Sequence, residues 1–242
     1  MRNVYPLSMP PPPIIVINLK RSLDRRVRVV GMLEKLGLDY ELFEAVDGSN
    51  LVEADRALIS NKESYRLHGR FLTDGEVGCA LSHIGVWQLA KTRGWTEVFV
   101  LEDDAEIGRA AVEILSARDL FPKDWEMINF MSDSKLVQFG EPIWDIYRAG
   151  RFVNKPNKTA AYLLTDVGIQ KLLDICFPLK LASDGLTGQT EISGLVHYGL
   201  FPSCANLAPV ETTIPNRPQQ PRLRRRIIRM LSQRLLRLVT GV

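Results

Sequence analysis

Residues 14–46 read IIVINLKRSLDRRVRVVGMLEKLGLDYELFEAV, and the fold class follows from that stretch. Ile14 to Leu19 is an apolar, largely β-branched run, which suits a strand covered on both faces in a parallel sheet. Ser22 then offers a helix N-cap. Val29, Val30, Leu33 and Leu36 recur at helical spacing until Gly37, a residue suited to stopping a helix. Tyr40 to Val46 reads as a second strand, ended by the turn pair Asp47-Gly48. Strand, helix and strand within about 30 residues make a βαβ unit.

The same alternation continues outward from this unit. Thr73 and Glu76 fit a capping box, and Val77, Ala80, Leu81, Ile84 and Gln88 follow one face of the helix they open. Gly78 and Gly85 inside that helix each cost about 1 kcal/mol relative to Ala, so another part of the chain is expected to approach its backbone closely. Val98 to Leu101 is a short buried strand running into Glu102-Asp103-Asp104. Met127 to Met131 and Ala160 to Leu164 are further strands. Thr165 caps a helix from Asp166 to Ile175 with Ile169, Leu172 and Leu173 on its buried side. The expected fold is α/β, a Rossmann-type open, mostly parallel sheet flanked by helices. It occupies residues 14–210, between a Pro-rich segment at 1–13 and a distinct segment at 211–242.

Composition narrows the function classes. A chain of 242 residues, 45% hydrophobic and 24% charged, holds enough apolar side chains for an independent core and is not a disordered protein. Cys79, Cys176 and Cys204 share no CxxC-type spacing, so neither a zinc ribbon nor a disulfide scaffold is expected. No apolar run approaches the roughly 18–20 residues that span a bilayer, and MRNVYPLSMPPPP lacks a signal-like apolar region. A soluble protein of a reducing compartment is the expectation.

The net charge of +3 hides an asymmetry, because residues 216–242 carry eight Arg and no acid, which leaves the rest at −5. An acidic globule is not expected to bind nucleic acid. In the tail, Leu223, Ile227, Met230, Leu231, Leu235 and Leu238 lie at helical spacing with the Arg residues largely on other faces. A basic amphipathic helix of this kind suits an anionic membrane surface. Pro215, Pro218 and Pro221 set it off as a stiff linker.

In open α/β sheets, ligands bind beyond the carboxyl ends of the strands, and Glu102-Asp103-Asp104 sits at such an end. In an extended chain Glu102 and Asp104 face one side and Asp103 the other. Adjacent carboxylates repel, and a divalent cation is the usual compensation, with oxygen ligands favouring Mg²⁺ or Mn²⁺ over zinc. A solvated acidic strand end satisfies the same pattern. After the first strand, Asn18 is followed by Lys20, Arg21, Arg25 and Arg26 around Asp24, a cationic cluster suited to phosphate. Arg26 and Arg28 read as an ordinary solvated helix face.

Together these residues resemble glycosyltransferase family 25. The blocks are NLKRSLDRR at 18–26, EAVDG at 44–48, GEVGCALSH at 75–83, VLEDDA at 100–105 and NKPNKTAAYLLT at 154–165, with Asp184 after them. The family includes bacterial lipooligosaccharide galactosyltransferases. The resemblance implies a GT-A-like fold, a UDP-sugar donor, Mn²⁺ or Mg²⁺ as cofactor and inversion at the anomeric carbon. Glu102-Asp103-Asp104 is then the DxD-like element, departing from the pattern in its leading Glu. Asp104 is the first choice for the metal with Glu102 beside it, and Glu102 or Asp103 would orient metal or ribose. Asn18, Arg21, Arg25, Asp47 and Gly48 fall where the donor nucleotide is expected.

Inverting transfer needs a group to take the acceptor hydroxyl's proton. Asp184 in the segment LASDGLTGQ, read as a loop, is the leading choice, and Glu191 the alternative. His83 lies off the apolar stripe of its helix and can contact donor or acceptor, or serve as a structural hydrogen-bonding residue. Lys155, Lys158 and Thr159 can hold phosphate or acceptor oxygens, while Trp87 and Trp144 read as core. The function expected is transfer of a sugar, galactose by default, to a lipid-linked lipopolysaccharide or lipooligosaccharide acceptor at the cytoplasmic face of a bacterial inner membrane. Two other classes fit parts of the pattern. One is another Mg²⁺-dependent nucleotidyl or phosphoryl transferase, for which no Walker-type loop is present. The other is a non-catalytic membrane adaptor.

Overall fold

The computed structural model describes residues 9–131, 136–156 and 158–209. The basic segment 211–242 and its expected membrane helix lie outside the described residues, as does most of the 1–13 segment. In chain order the strands are β1 (Ile14–Asn18), β2 (Glu41–Glu44), β3 (Glu97–Glu102), β4 (Ala105–Ile107), β5 (Met127–Asn129), β6 (Leu136–Val137), β7 (Pro142–Trp144), β8 (Tyr147–Phe152), β9 (Ala161–Thr165), β10 (His197–Phe201) and β11 (Ala205–Leu207). The helices are α1 (Leu23–Leu36), α2 (Glu53–Ala57), α3 (Asn61–His68), α4 (Asp74–Thr92), α5 (Arg109–Ser116), α6 (Asp166–Ile175), α7 (Ser183–Gly188) and α8 (Thr190–Ser193). Among the described residues, no helix is long and apolar enough to cross a membrane.

The main sheet runs β2-β1-β3-β9-β5-β10-β8-β6, with β7 paired to β8. β1 pairs in parallel with β2 and β3, and β5 in parallel with β10. β9 is antiparallel to both of its neighbours, β3 and β5. Of the six strands from β2 to β10, therefore, all but β9 point the same way. The fold is a mixed α/β sheet with a mostly parallel core, and the carboxyl ends of β1, β2 and β3 meet on one rim.

Every residue of β1 is buried, as its apolar run requires. Period-2 alternation divides the strand between two cores. Ile14 and Val16 join Val29 and Leu33 of α1 and Ile114 and Leu115 of α5 on one face of the sheet. Ile15 and Ile17 join Val77, Ala80, Ile84 and Trp87 of α4 and Ile169 and Leu172 of α6 on the other. α1 ends at Gly37, which adopts φ 69°, and α4 opens with the Thr73/Glu76 capping box closed in both directions.

The two glycines inside α4 have a packing reason. A Cβ on Gly78 would stand 2.6 Å from the Val46 carbonyl and 2.7 Å from the Gly48 amide, and one on Gly85 would meet the Phe43 ring at 2.7 Å. β2 and the turn after it lie directly on the helix. β2 is itself shorter than the expected 40–46, because the chain leaves the sheet at Ala45 to make that turn.

One buried group predicts how stability responds to acid. His197 at the start of β10 is 4% exposed, and its Nδ1 contacts the Thr187 carbonyl at 3.1 Å. Burial pushes its pKa down to about 4, against a smaller opposing effect from Thr187. The unfolded chain holds this proton from about pH 6.5 downward, so the native state loses stability as pH falls from there to about 4. The loss is on the order of 3 kcal/mol when complete. Urea midpoints at pH 7 and pH 4.5 should fall less in His197→Gln than in the unmodified protein. An equal fall would remove His197 from the account.

Candidate functional site

A cleft of about 210 Å³ opens over the rim where β1, β2 and β3 end. One wall is the turn after β2, with Asp47, Gly48 and Ser49. The adjoining wall is α4, with Cys79, Ser82 and His83. Glu102, Asp103 and Asp104 lie across the end of β3. Parallel pairing of β1 with β3 makes the first strand's Arg-rich exit and the third strand's acidic exit neighbours.

Asp47 caps the turn, accepting from the Ser49 amide at 2.9 Å and the Ser49 hydroxyl at 2.7 Å, and pairs with Arg21. Burial alone would raise its pKa, but the two Ser49 donors and Arg21 hold the carboxyl below its ordinary range. Gly48 is required beside it, since a Cβ there would overlap the Asp74 carbonyl at the start of α4. This wall is a fixed carboxylate and a guanidinium facing the cleft.

Asp103 is fully engaged. Its Oδ1 accepts from Arg25 at 2.7 Å and its Oδ2 from the Asn18 amide at 2.8 Å. The Arg28 guanidinium donates to the Asp103 carbonyl at 2.6 Å and to Glu106 at 3.0 Å. Arg28, expected on a solvated face, instead braces the acidic turn. Its side chain bridges α1 to the turn and to β4, which sequence spacing along α1 does not reveal. Asn18, Arg25 and Asp103 thus form a framework that holds the turn in place.

Asp104 is the exception. Its Oδ1 is buried with no hydrogen-bond partner among the described residues, and its Oδ2 has a long 3.4 Å contact to Arg25. Burial, and then the nearby charge of Glu102, push its pKa up to about 6, with Arg25 opposing. Glu102 behaves differently. Burial would raise it, but His83, Thr159 and Arg25 keep it below its ordinary value and ionised. An ionised carboxylate beside an under-satisfied one is an oxygen-only donor set that fits Mg²⁺ or Mn²⁺.

His83 is fully buried, joined at Nδ1 to the Tyr162 hydroxyl (2.9 Å) and at Nε2 to Glu102 Oε1 (3.2 Å). Trp87 Nε1 donates to the same hydroxyl at 2.9 Å. The protons are all placed if Trp87 donates to Tyr162, Tyr162 to Nδ1, and Nε2–H to Glu102. Thr159 completes Glu102 by donating to Oε1 at 3.0 Å. His83 and Thr159 therefore act on Glu102. Trp87 is core, as expected, and Trp144 stacks on Tyr147 away from the cleft.

Asp184 and Glu191 lie outside this cleft. Asp184 is in the first turn of α7 rather than in a loop, because Ala182 turns the chain and Leu186 anchors a short helix in the core. It lines a neighbouring cavity of about 270 Å³ with His68, Arg70 and Lys155. Ser183, buried beside Asp184 at the start of α7, has its hydroxyl 3.3 Å from Sγ of the cleft residue Cys79 and 3.1 Å from the Thr159 hydroxyl. Glu191 is on α8, largely exposed and paired with Lys155 at 3.1 Å. Lys158 contributes its carbonyl to Asn129 at 3.2 Å. Cys79, Ser82, Ser183 and Tyr162 were not singled out from sequence. Cys79 stands four residues before His83 on one helical face, but its neighbour Ser183 lies 104 residues away in sequence.

Residues 11–187 match the family described as Glycosyltransferase family 25 (LPS biosynthesis protein). The chain is 32% identical over 179 residues to a Homo sapiens procollagen galactosyltransferase 2, covering 70% of this chain and 28% of that protein. It is 40% identical over 174 residues to a glycosyltransferase 25 family member of Drosophila pseudoobscura pseudoobscura, covering 66% and 26%. The chain thus spans little more than a quarter of the length of these relatives. A glycosyltransferase involved in glycosylation of the PBCV-1 major capsid aligns over 66% of this chain and 62% of its own at 11% identity, with a TM-score of 0.34. With the family match running from the proline entry to α7, across every element that builds the cleft, this chain belongs to glycosyltransferase family 25.

Proposed function

We propose that this glycosyltransferase moves galactose from UDP-galactose to an acceptor hydroxyl with inversion, using a divalent cation held by Asp104 and Glu102. The observation that carries the cation is the buried, partnerless Asp104 Oδ1 beside the ionised Glu102. Mn²⁺ or Mg²⁺ there supplies neutralisation of the charge that develops on the diphosphate leaving group. The galactose donor is supported by the galactosyltransferase names of the relatives.

The protein's own groups have separable tasks. Arg21 and Asp47 face the cleft where a nucleotide's phosphate and ribose have complementary charge and hydroxyls. Asn18, Arg25 and Arg28 keep the acidic turn from moving when the cation's charge arrives. His83 and Thr159 fix the rotamer of Glu102. Asp184, which lines the neighbouring cavity, takes the acceptor hydroxyl's proton.

The acceptor in this reading is a lipid-linked saccharide of lipopolysaccharide type, supported by the family description. The arginine-rich tail, read from sequence, would then keep the enzyme on an anionic membrane surface at the cytoplasmic face. The test is calorimetric titration of UDP, UDP-galactose and UDP-glucose with Mn²⁺ and again with EDTA. UDP should bind at least about tenfold more weakly in EDTA, a difference of 1.4 kcal/mol. No UDP binding in either condition would end the UDP-sugar assignment.

A further inference from the structure

We propose that Cys79, His83 and Glu102 form a site for one thiophilic divalent cation, zinc in the first instance, on the α4 wall of the cleft. A sulfur of Cys79, a ring nitrogen of His83 and a carboxylate oxygen of Glu102 all lie within 4.8 Å of one another. Cys79 and His83 are four residues apart on α4, the spacing at which one helical face presents two side chains to one ion. Glu102 arrives from the end of β3. All three line the cleft, so a fourth position opens to solvent or ligand. Three ligands of sulfur, nitrogen and oxygen type with one open position are a zinc set, whereas the oxygen-only pair at Asp104 is not.

The ligands are already oriented by partners behind them. The Tyr162 hydroxyl holds His83 Nδ1 at 2.9 Å, Thr159 holds Glu102 Oε1 at 3.0 Å, and Ser183 stands 3.3 Å from the Cys79 sulfur. Binding breaks the Cys79 S–H bond, releases that proton to solvent and forms a metal–sulfur bond. His83 ligates through Nε2, so its ring proton moves to Nδ1 and donates to the Tyr162 oxygen, which still accepts from Trp87; the Tyr162 O–H gives up its bond to Nδ1 in exchange. Glu102 exchanges the His83 donor for the metal. Because Glu102 belongs to both donor sets, zinc bound here withdraws it from Asp104.

This site goes beyond the transferase reading and does not depend on it. The test is titration of the purified, reduced, nucleotide-free full chain with Co²⁺ as a spectroscopic stand-in for zinc. One equivalent should give a near-ultraviolet thiolate-to-cobalt charge-transfer band with the intense visible bands of a tetrahedral site, and Zn²⁺ should bleach both. Cys79→Ser should remove the charge-transfer band and weaken zinc binding by about 100-fold or more, and Tyr162→Phe should weaken it by about tenfold. The metal-free melting temperature of each variant controls for folding, and Cys79→Ala repeats the test if Cys79→Ser is unstable. A weak octahedral spectrum with no charge-transfer band, or a band that survives both Cys79 variants, overturns the proposal. Either result leaves the UDP titration free to succeed or fail by itself.

Discussion

Replacing Asp104 with Asn should abolish transfer and make the metal-free protein more stable. Activity with saturating Mn²⁺ is expected to fall by about 10²–10³-fold, the scale of losing one preorganised electrostatic group at a reacting centre. The gain in stability follows from the same burial. Asp104 titrates near 6 in the fold, raised by desolvation and by Glu102, against about 3.9 for a free aspartate. Between those values the native state holds a proton that the unfolded chain has lost, so stability declines as pH rises through the window. Above about pH 6 the decline is complete, and it amounts to about 3 kcal/mol. The neutral amide escapes it. Thermal melts in EDTA at pH 8 should therefore place Asp104→Asn several degrees above the unmodified chain, with the advantage shrinking toward pH 4. A variant that loses both activity and stability would mean that Asp104 holds the fold together and does not await a cation.

The second large effect is expected at Gly78. The methyl of an alanine there would press on the Val46 carbonyl at 2.6 Å and the Gly48 amide at 2.7 Å, both backbone atoms that cannot rotate away. Gly78→Ala should cost about 3 kcal/mol, at the upper end of overpacking penalties. It should also weaken UDP binding, because the displaced segment carries Asp47 and Gly48. Gly31→Ala is the matched control. Gly31 sits inside α1 with nothing within 4 Å of its would-be Cβ, so the same substitution should stabilise by about 0.5–1 kcal/mol. Urea denaturation of the two variants separates the cases, and equal effects would show that the close approach to α4 is not what fixes Gly78.

What sequence could reveal depended on the range of the interaction. Features written within a few residues were legible: the β-branched run of β1, the Thr73/Glu76 cap, the Thr165 cap, the turn at Asp47-Gly48. The two glycines of α4 announced a close neighbour without naming it as the turn after β2. The acidic triplet marked the rim, since strand polarity alone puts a strand's end there. The direction of β9 was not legible, because an apolar segment such as AYLLT suits parallel and antiparallel pairing equally. Nor was the division of labour among three adjacent carboxylates. It is set by Arg25 and Asn18 on one side of the turn, and by His83 and Thr159 on the other. Arg28 was misassigned because its partners lie about 75 residues away. Asp184 was placed in a loop because Gly185 and Gly188 after it outweighed the single leucine that anchors α7.

The reversed direction of β9 bears on how such a protein can diversify. β9 begins where β3 ends, with Ala161 opposite Leu101, so Thr159 reaches Glu102 from a strand's entrance instead of its exit. The chain between β3 and β9 thus departs from the rim and returns to it. The loops of that excursion, outside α5, β5 and β8, can lengthen, shorten or change sequence while the ladder that aligns Thr159 with Glu102 stays in step. A lineage can remodel those loops at the rim and leave β1, β2 and β3 untouched.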